Sequence, residues 1–129
     1  MVLQNAYQSY KQNSITTASL EELVVLMYRG LEKFIKQGIL FVEEKDVEKA
    51  NNAIIKAQDI VRELMSSLDM NIEISKQLYY LYDFILSTLI QANIKKDKSK
   101  LQDALDIVTG LKEAWEQALV NIRQLKYGK

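Results

Sequence analysis

The chain contains no histidine, no cysteine and no proline, and only four glycines among its 129 residues. Without cysteine there is no disulfide framework, no thiolate nucleophile and no soft zinc site. Without histidine the usual base near neutral pH is missing. These absences exclude most enzyme templates, a His-bearing phosphotransfer bundle, and the two-metal carboxylate centres that draw on inward-facing Glu-x-x-His pairs. No catalytic residue, cofactor or metal site is expected. The longest uncharged stretch, Phe84 to Ile94, is 11 residues, short of the roughly 18 to 20 that a membrane span needs. The start, MVLQNAYQSY, lacks a basic segment followed by an apolar run, so no signal peptide is expected and the expected location is cytoplasmic. Lys plus Arg and Asp plus Glu number 17 each, so nothing draws the whole molecule to nucleic acid or to an anionic membrane.

What is present is abundant Leu, Ala, Lys, Glu and Gln with almost no punctuation for hairpins, which reads as all-α and, at this length, as one domain. Ser19 and Glu22 have capping-box spacing before a first helix from Leu20 to about Glu43, with the stripe Leu20, Val24, Met27, Leu31, Phe34, Gly38 and Phe41. Asp46 can cap a second helix whose Val47, Ala50, Ile54, Ala57, Val61, Leu64 and Leu68 alternate spacings of three and four, a bundle seam. Asn71 is the expected cap of a third helix with Ile74, Leu78, Leu81, Ile85, Leu89 and Ala92. Ser99 with Gln102 repeats the capping-box spacing before a fourth, with Leu101, Ala104, Val108, Leu111, Trp115, Ala118 and Ile122. Short connections force antiparallel neighbours, so the prediction is an antiparallel up-down-up-down four-helix bundle over residues 19–129. Residues 1–18, polar and uncharged except for Lys11, are expected to form a mobile or loosely docked arm. Leu3, Ala6, Tyr7 and Tyr10 share a face if that segment is helical.

Two charged clusters have ordinary explanations. Glu113 and Glu116 flank Trp115 at positions expected to face water. Lys95, Lys96, Lys98 and Lys100 complement the carbonyl end of the third helix and solvate the loop after it. The informative feature is apolar surplus. On the third helix a second row, Tyr79, Tyr82, Leu86 and Ile90, lies about 100 to 180° around from Leu81. Val25, Tyr28, Ile39 and Leu40 on the first helix and Ile55 and Ile60 on the second add to it. Large exposed apolar patches usually mark an interface. The expectation is a groove at Tyr79, Tyr82, Leu86, Ile90 and Ile55 that takes a partner's apolar helix, with Leu3, Tyr7 and Tyr10 as a lid the partner displaces. The alternative is a weak homodimer through the same stripe.

The ordered set Asn5-Ala6-Tyr7-Gln8-Ser9-Tyr10, Thr17-Ala18-Ser19-Leu20-Glu21-Glu22-Leu23, Leu26-Met27-Tyr28-Arg29-Gly30, Lys49-Ala50-Asn51-Asn52, Ala57 to Leu64, Leu81-Tyr82-Asp83-Phe84 and Leu111-Lys112-Glu113-Ala114-Trp115 resembles the flagellar secretion chaperone family FliS over nearly the whole chain. The resemblance implies a cytoplasmic bundle, without enzymatic activity, that holds the C-terminal segment of flagellin, keeps it from polymerising early and helps deliver it to the flagellar export gate. It also implies that Asn5 and Tyr28 fix the arm to the first helix. Three positions depart from the family's usual pattern: Leu20 stands where Pro is common, Arg29 where an acidic residue commonly precedes Gly30, and Ser87 near a frequent Arg.

Overall fold

The computed structural model describes residues 20–127, with side chains to Leu125; the expected lid and anchor residues Leu3, Tyr7, Tyr10 and Asn5, and the Ser19 cap, lie outside the described residues. Four helices follow one another, α1 (Leu20–Glu43), α2 (Val47–Ser66), α3 (Glu73–Lys95) and α4 (Lys98–Tyr127). Each packs on its neighbours in the order α1, α2, α3, α4 and back to α1, so α1 lies diagonal to α3 and α2 to α4. This is the antiparallel up-down-up-down arrangement that the short connections require.

Local chemistry sets the helix ends. Asp46 caps α2 as its Oδ1 accepts from the Lys49 N–H at 3.1 Å, the expected device. Two other expected caps are replaced. Asp97, not Ser99, accepts from the backbone N–H of Ser99 and Lys100, at 3.0 and 3.3 Å. Asn71 does not cap α3; its own N–H donates to Asp69 at 3.0 Å, and α3 begins at Ile72 with no side-chain cap. At the start of α4 a charged acceptor slightly earlier in the loop takes the first N–H groups and makes the stronger bond, whereas Asp69 holds the N–H of Asn71 in the loop ahead of α3. With no glycine in the loops before α2 and α4, lysines occupy the left-handed positions, Lys45 at φ 60° and Lys96 at φ 52°. Lys96 then turns its ammonium back onto Asn93, at 2.6 Å from the carbonyl and 2.8 Å from Oδ1.

Ion pairs lace α1 to α4 along their length: Glu22 with Arg123, Arg29 with Glu116, Glu32 with Lys112 and Glu43 with Lys98. The exposed ones contribute little stability each, about 0 to 1 kcal/mol, but their spacing pins the antiparallel register. Inside, Leu31, Ile35, Ile54, Ala57, Val61, Ile85, Leu89, Leu101 and Val108 form one continuous apolar core.

Helix α1 approaches α2 most closely at Gly38, where a Cβ would sit 3.0 Å from Ile54 Cγ1, a fully buried side chain with little freedom to retreat. Gly110 on α4 faces open space. Gly110→Ala should therefore raise stability by about 0.5 to 1 kcal/mol through helix propensity. Gly38→Ala should lower it by up to about 2 kcal/mol as overpacking outweighs the same gain. Thermal melts of the two variants side by side check the contrast.

Candidate functional site

The surface of α3 distinguishes the molecule. Its buried residues are Ser75, Tyr82, Ile85, Leu89 and Ala92, a stripe rotated about 30 to 40° from the one the sequence pattern predicts, at 100° per residue. Tyr82 is therefore corrected: it is 2 % exposed and belongs to the core, not to an outer apolar face. The physical reason is a partner across the bundle diagonal. The hydroxyls of Tyr82 and Tyr28 meet at 2.5 Å, so both rings can be buried without stranding a phenolic proton. Tyr28, also expected among the surplus and as an anchor, is 1 % exposed and packs its ring 6.5 Å from those of Tyr82 and Trp115. Val25 and Ile60, likewise read as surplus, are core residues. Burial pushes both phenol pKa values up; at Tyr28 the neighbouring Tyr82 adds to this, while at Tyr82 the Tyr28 hydrogen bond partly offsets it. Trp115 completes this layer, its Nε1 buried without a hydrogen-bond partner among the described residues.

Asn93 Nδ2 donates to Asn51 at 2.8 Å, which fixes the side of α3 that meets α2. Tyr79 and Leu86 stand fourteen and seven residues before Asn93 on that line, and Ile55 lies one turn past Asn51 on α2. Tyr79 and Ile55 are exposed, at 39 and 40 %, whereas Leu86 and Ile90 are half-buried.

A second apolar row escaped the sequence pattern. Tyr80, Phe84 and Ile94 are 74, 57 and 76 % exposed. Phe84 lies on the α4 side of α3, where Leu81, Leu111 and Ala118 are only partly covered. The seam between α3 and α4 is the least extensively packed of the four. The signal was present: α3 has apolar residues on nearly every side, so burying one stripe leaves a row on each flank and not on one alone. Ile122 and Leu125 extend apolar surface along the free end of α4.

Polar chemistry is sparse. Glu32, 7 % exposed, accepts from Thr109 at 2.7 Å and pairs with Lys112 at 2.9 Å. Burial alone would push its carboxyl up, but those two hydrogen bonds and the Lys112 charge outweigh it and hold it below the ordinary value. Its contribution is thus present above pH about 4.5 and lost as pH falls through the lower folded value. Glu32→Gln should cost about 1 to 2 kcal/mol at neutral pH and flatten the acid limb of a urea-stability series. Glu116 does not simply face water as the spacing suggested, for it pairs with Arg29 at 2.6 Å. Among the described residues no group of acidic side chains could hold a metal ion, and no helix is long and apolar enough to cross a membrane.

The described residues thus form a four-helix bundle with apolar rows on both flanks of α3, and exposed apolar surface of this extent is a mark of interfaces. The family profile described as "Flagellar protein FliS" matches residues 3–122. The flagellar secretion chaperone FliS of Bacillus subtilis is 40 % identical over 128 residues, covering 99 % of this chain and 96 % of that protein. That of Vibrio cholerae is 31 % identical over 121 residues, 89 % of each. A crystal structure titled as a flagellar chaperone from bacteria superimposes with a TM-score of 0.76 at 19 % identity, covering 92 % of this chain and 98 % of that one, and shares the fold. The chain belongs to the FliS family of flagellar secretion chaperones.

Proposed function

We propose that this protein is a cytoplasmic export chaperone that binds the C-terminal segment of flagellin, keeps it from polymerising prematurely and presents it to the flagellar export gate, without catalysis. The observation that carries this reading is the apolar surface on both flanks of α3: Ile55, Tyr79, Leu86 and Ile90 along α2, Phe84 and Leu81 along α4. An assembly protein whose end segments pack on copies of themselves needs a substitute apolar surface while in transit. A segment that folds as it wraps trades ordering entropy for a large contact area. Residues 1–18 serve in this reading as an arm and lid, with Leu3, Tyr7 and Tyr10 covering apolar surface until the client displaces them, Asn5 and Tyr28 holding the arm, and residues 19–129 forming the binding domain. Tyr28 can do so only from within the core, since its hydroxyl is already engaged by Tyr82.

The test is titration calorimetry with a flagellin C-terminal segment at several temperatures. Binding with a large negative heat-capacity change supports the proposal. No heat at any temperature, together with a stable dimer in sedimentation, would replace it by the self-associating bundle, whose interface would be occupied without any client.

A further inference from the structure

The outer seam between α1 and α2, opposite the seam between α3 and α4, carries a different chemistry. Phe34 and Phe41 stand seven residues apart on α1, each half-buried. Lysine ammonium groups lie over both rings. Lys33 and Lys56 are 5.3 and 5.5 Å from the centre of Phe34, and Lys49 is 5.8 Å from that of Phe41. Around Phe41 a depression of about 210 Å³ is lined by Gln37, Phe41, Lys49, Asn52, Ala53 and Lys56. Lys33 and Lys56 make no ion pair among the described residues, and Lys49 meets only Asp46, at 3.9 Å. Positive charge is thus held in and beside a small trough of mixed polar and apolar lining by contact with the neighbouring aromatic rings. An arriving anion finds it already placed.

We infer that this groove binds an acidic peptide segment of a second protein, its carboxylates on Lys49 and Lys56 and an aliphatic side chain between them against Phe41 and Ala53. Lys49 and Lys56 are two helical turns apart, about 10 Å along the axis. Side chains seven apart on a helix span that distance and share a face. The amides of Gln37 and Asn52 offer both donors and acceptors for the segment's backbone. The charge complementarity is to carboxylate and not to nucleic acid. The lining has no arginine for bidentate phosphate or base contact, and its lysines are point charges that single carboxylates meet. The site is separate from the flanks of α3 and does not rest on the identity of the client held there.

The probe is a synthetic peptide of about 15 residues with glutamates seven apart flanking leucine, compared with the same peptide carrying glutamine, each titrated into the isotope-labelled full chain. Amide shifts at Gln37, Phe41, Lys49 and Asn52 with the glutamate peptide, at least tenfold weaker with glutamine, support the site. The exposed pair Lys49→Gln and Lys56→Gln should weaken binding about three- to tenfold, while Lys95→Gln with Lys100→Gln at the other basic cluster should not. Four results would each overturn the proposal: no shifts, equal binding of both peptides, loss with the Lys95 and Lys100 pair instead, or stronger binding of a single-stranded oligonucleotide. So would displacement of the peptide by a saturating flagellin segment, which would make the trough part of the client path.

Discussion

Tyr82→Phe is expected to destabilise the protein by about 1 to 3 kcal/mol, and Tyr82→Asp by about 4 to 5 kcal/mol or more, while the double variant Tyr28→Phe, Tyr82→Phe stays within about 1 kcal/mol of the parent. The ordering follows from the 2.5 Å contact between two hydroxyls on diagonal helices. Removing one strands the other hydroxyl inside the core. Removing both leaves two apolar rings of nearly unchanged shape. The aspartate puts a charge into the apolar core and opens the space the ring filled, against a total stability that for domains of this kind is about 5 to 15 kcal/mol. Urea melts read by circular dichroism and by Trp115, the only tryptophan in the chain, measure all three. Strict additivity of the two Phe variants would show that the hydroxyls are not coupled. The pair also predicts an alkaline limb. Both phenols have raised pKa values in the folded protein, by burial first. Their contribution is therefore complete below pH about 10, where the unfolded chain starts to ionise, and declines as pH rises further. The double Phe variant should lack that decline.

This same pair shows where the sequence was legible and where it was not. Helix number, order and most boundaries follow from periodicity and from the lack of proline; α1 runs from Leu20 to Glu43 as its pattern predicts. The seam of α2 is likewise visible, with Ala50, Ile54, Ala57, Val61 and Leu64 all buried. Tyrosine on α3 is what misleads. A phenol at the edge of an apolar stripe faces water unless something accepts or donates to it, and the group that does so here lies 54 residues away on α1. No local pattern reports that partner. Once Tyr82 turns inward the whole helix rotates with it, which exposes Phe84 on one flank and leaves Leu86 half-covered on the other. The caps fail for a local reason: Asp97 takes the N–H groups of Ser99 and Lys100 so that α4 starts already at Lys98, and Asp69 holds the N–H of Asn71 in the loop while α3 starts at Glu73 without a side-chain cap. The family resemblance, by contrast, rests on the order of many ordinary helix segments, and a rotation of one stripe does not disturb it.

If the client lies along α3, charge placed on either flank should weaken it without unfolding the bundle. Phe84→Glu and Ile55→Glu each replace a side chain that is 57 and 40 % exposed, so the change in stability should be within about 0.5 to 1 kcal/mol. An apolar anchor buried by a partner is worth far more in binding. Losing it and desolvating a carboxylate in its place should cost each variant roughly 10- to 100-fold in affinity for the flagellin segment. Together they should abolish measurable binding, because the two residues stand on opposite flanks of α3 with no shared partner and their effects should add. The single variants also trace the route. Loss with Ile55→Glu alone would confine the client to the seam between α2 and α3. Loss with Phe84→Glu alone would move it to the thinly packed seam with α4. Comparable losses require a segment that crosses α3 and occupies both, long enough to bury on the order of 1,000 Å² or more as it folds. Undiminished affinity in both variants, with the fold intact by circular dichroism, would remove α3 as the client surface and turn the search to other exposed apolar residues, the end of α4 at Ile122 and Leu125 among them.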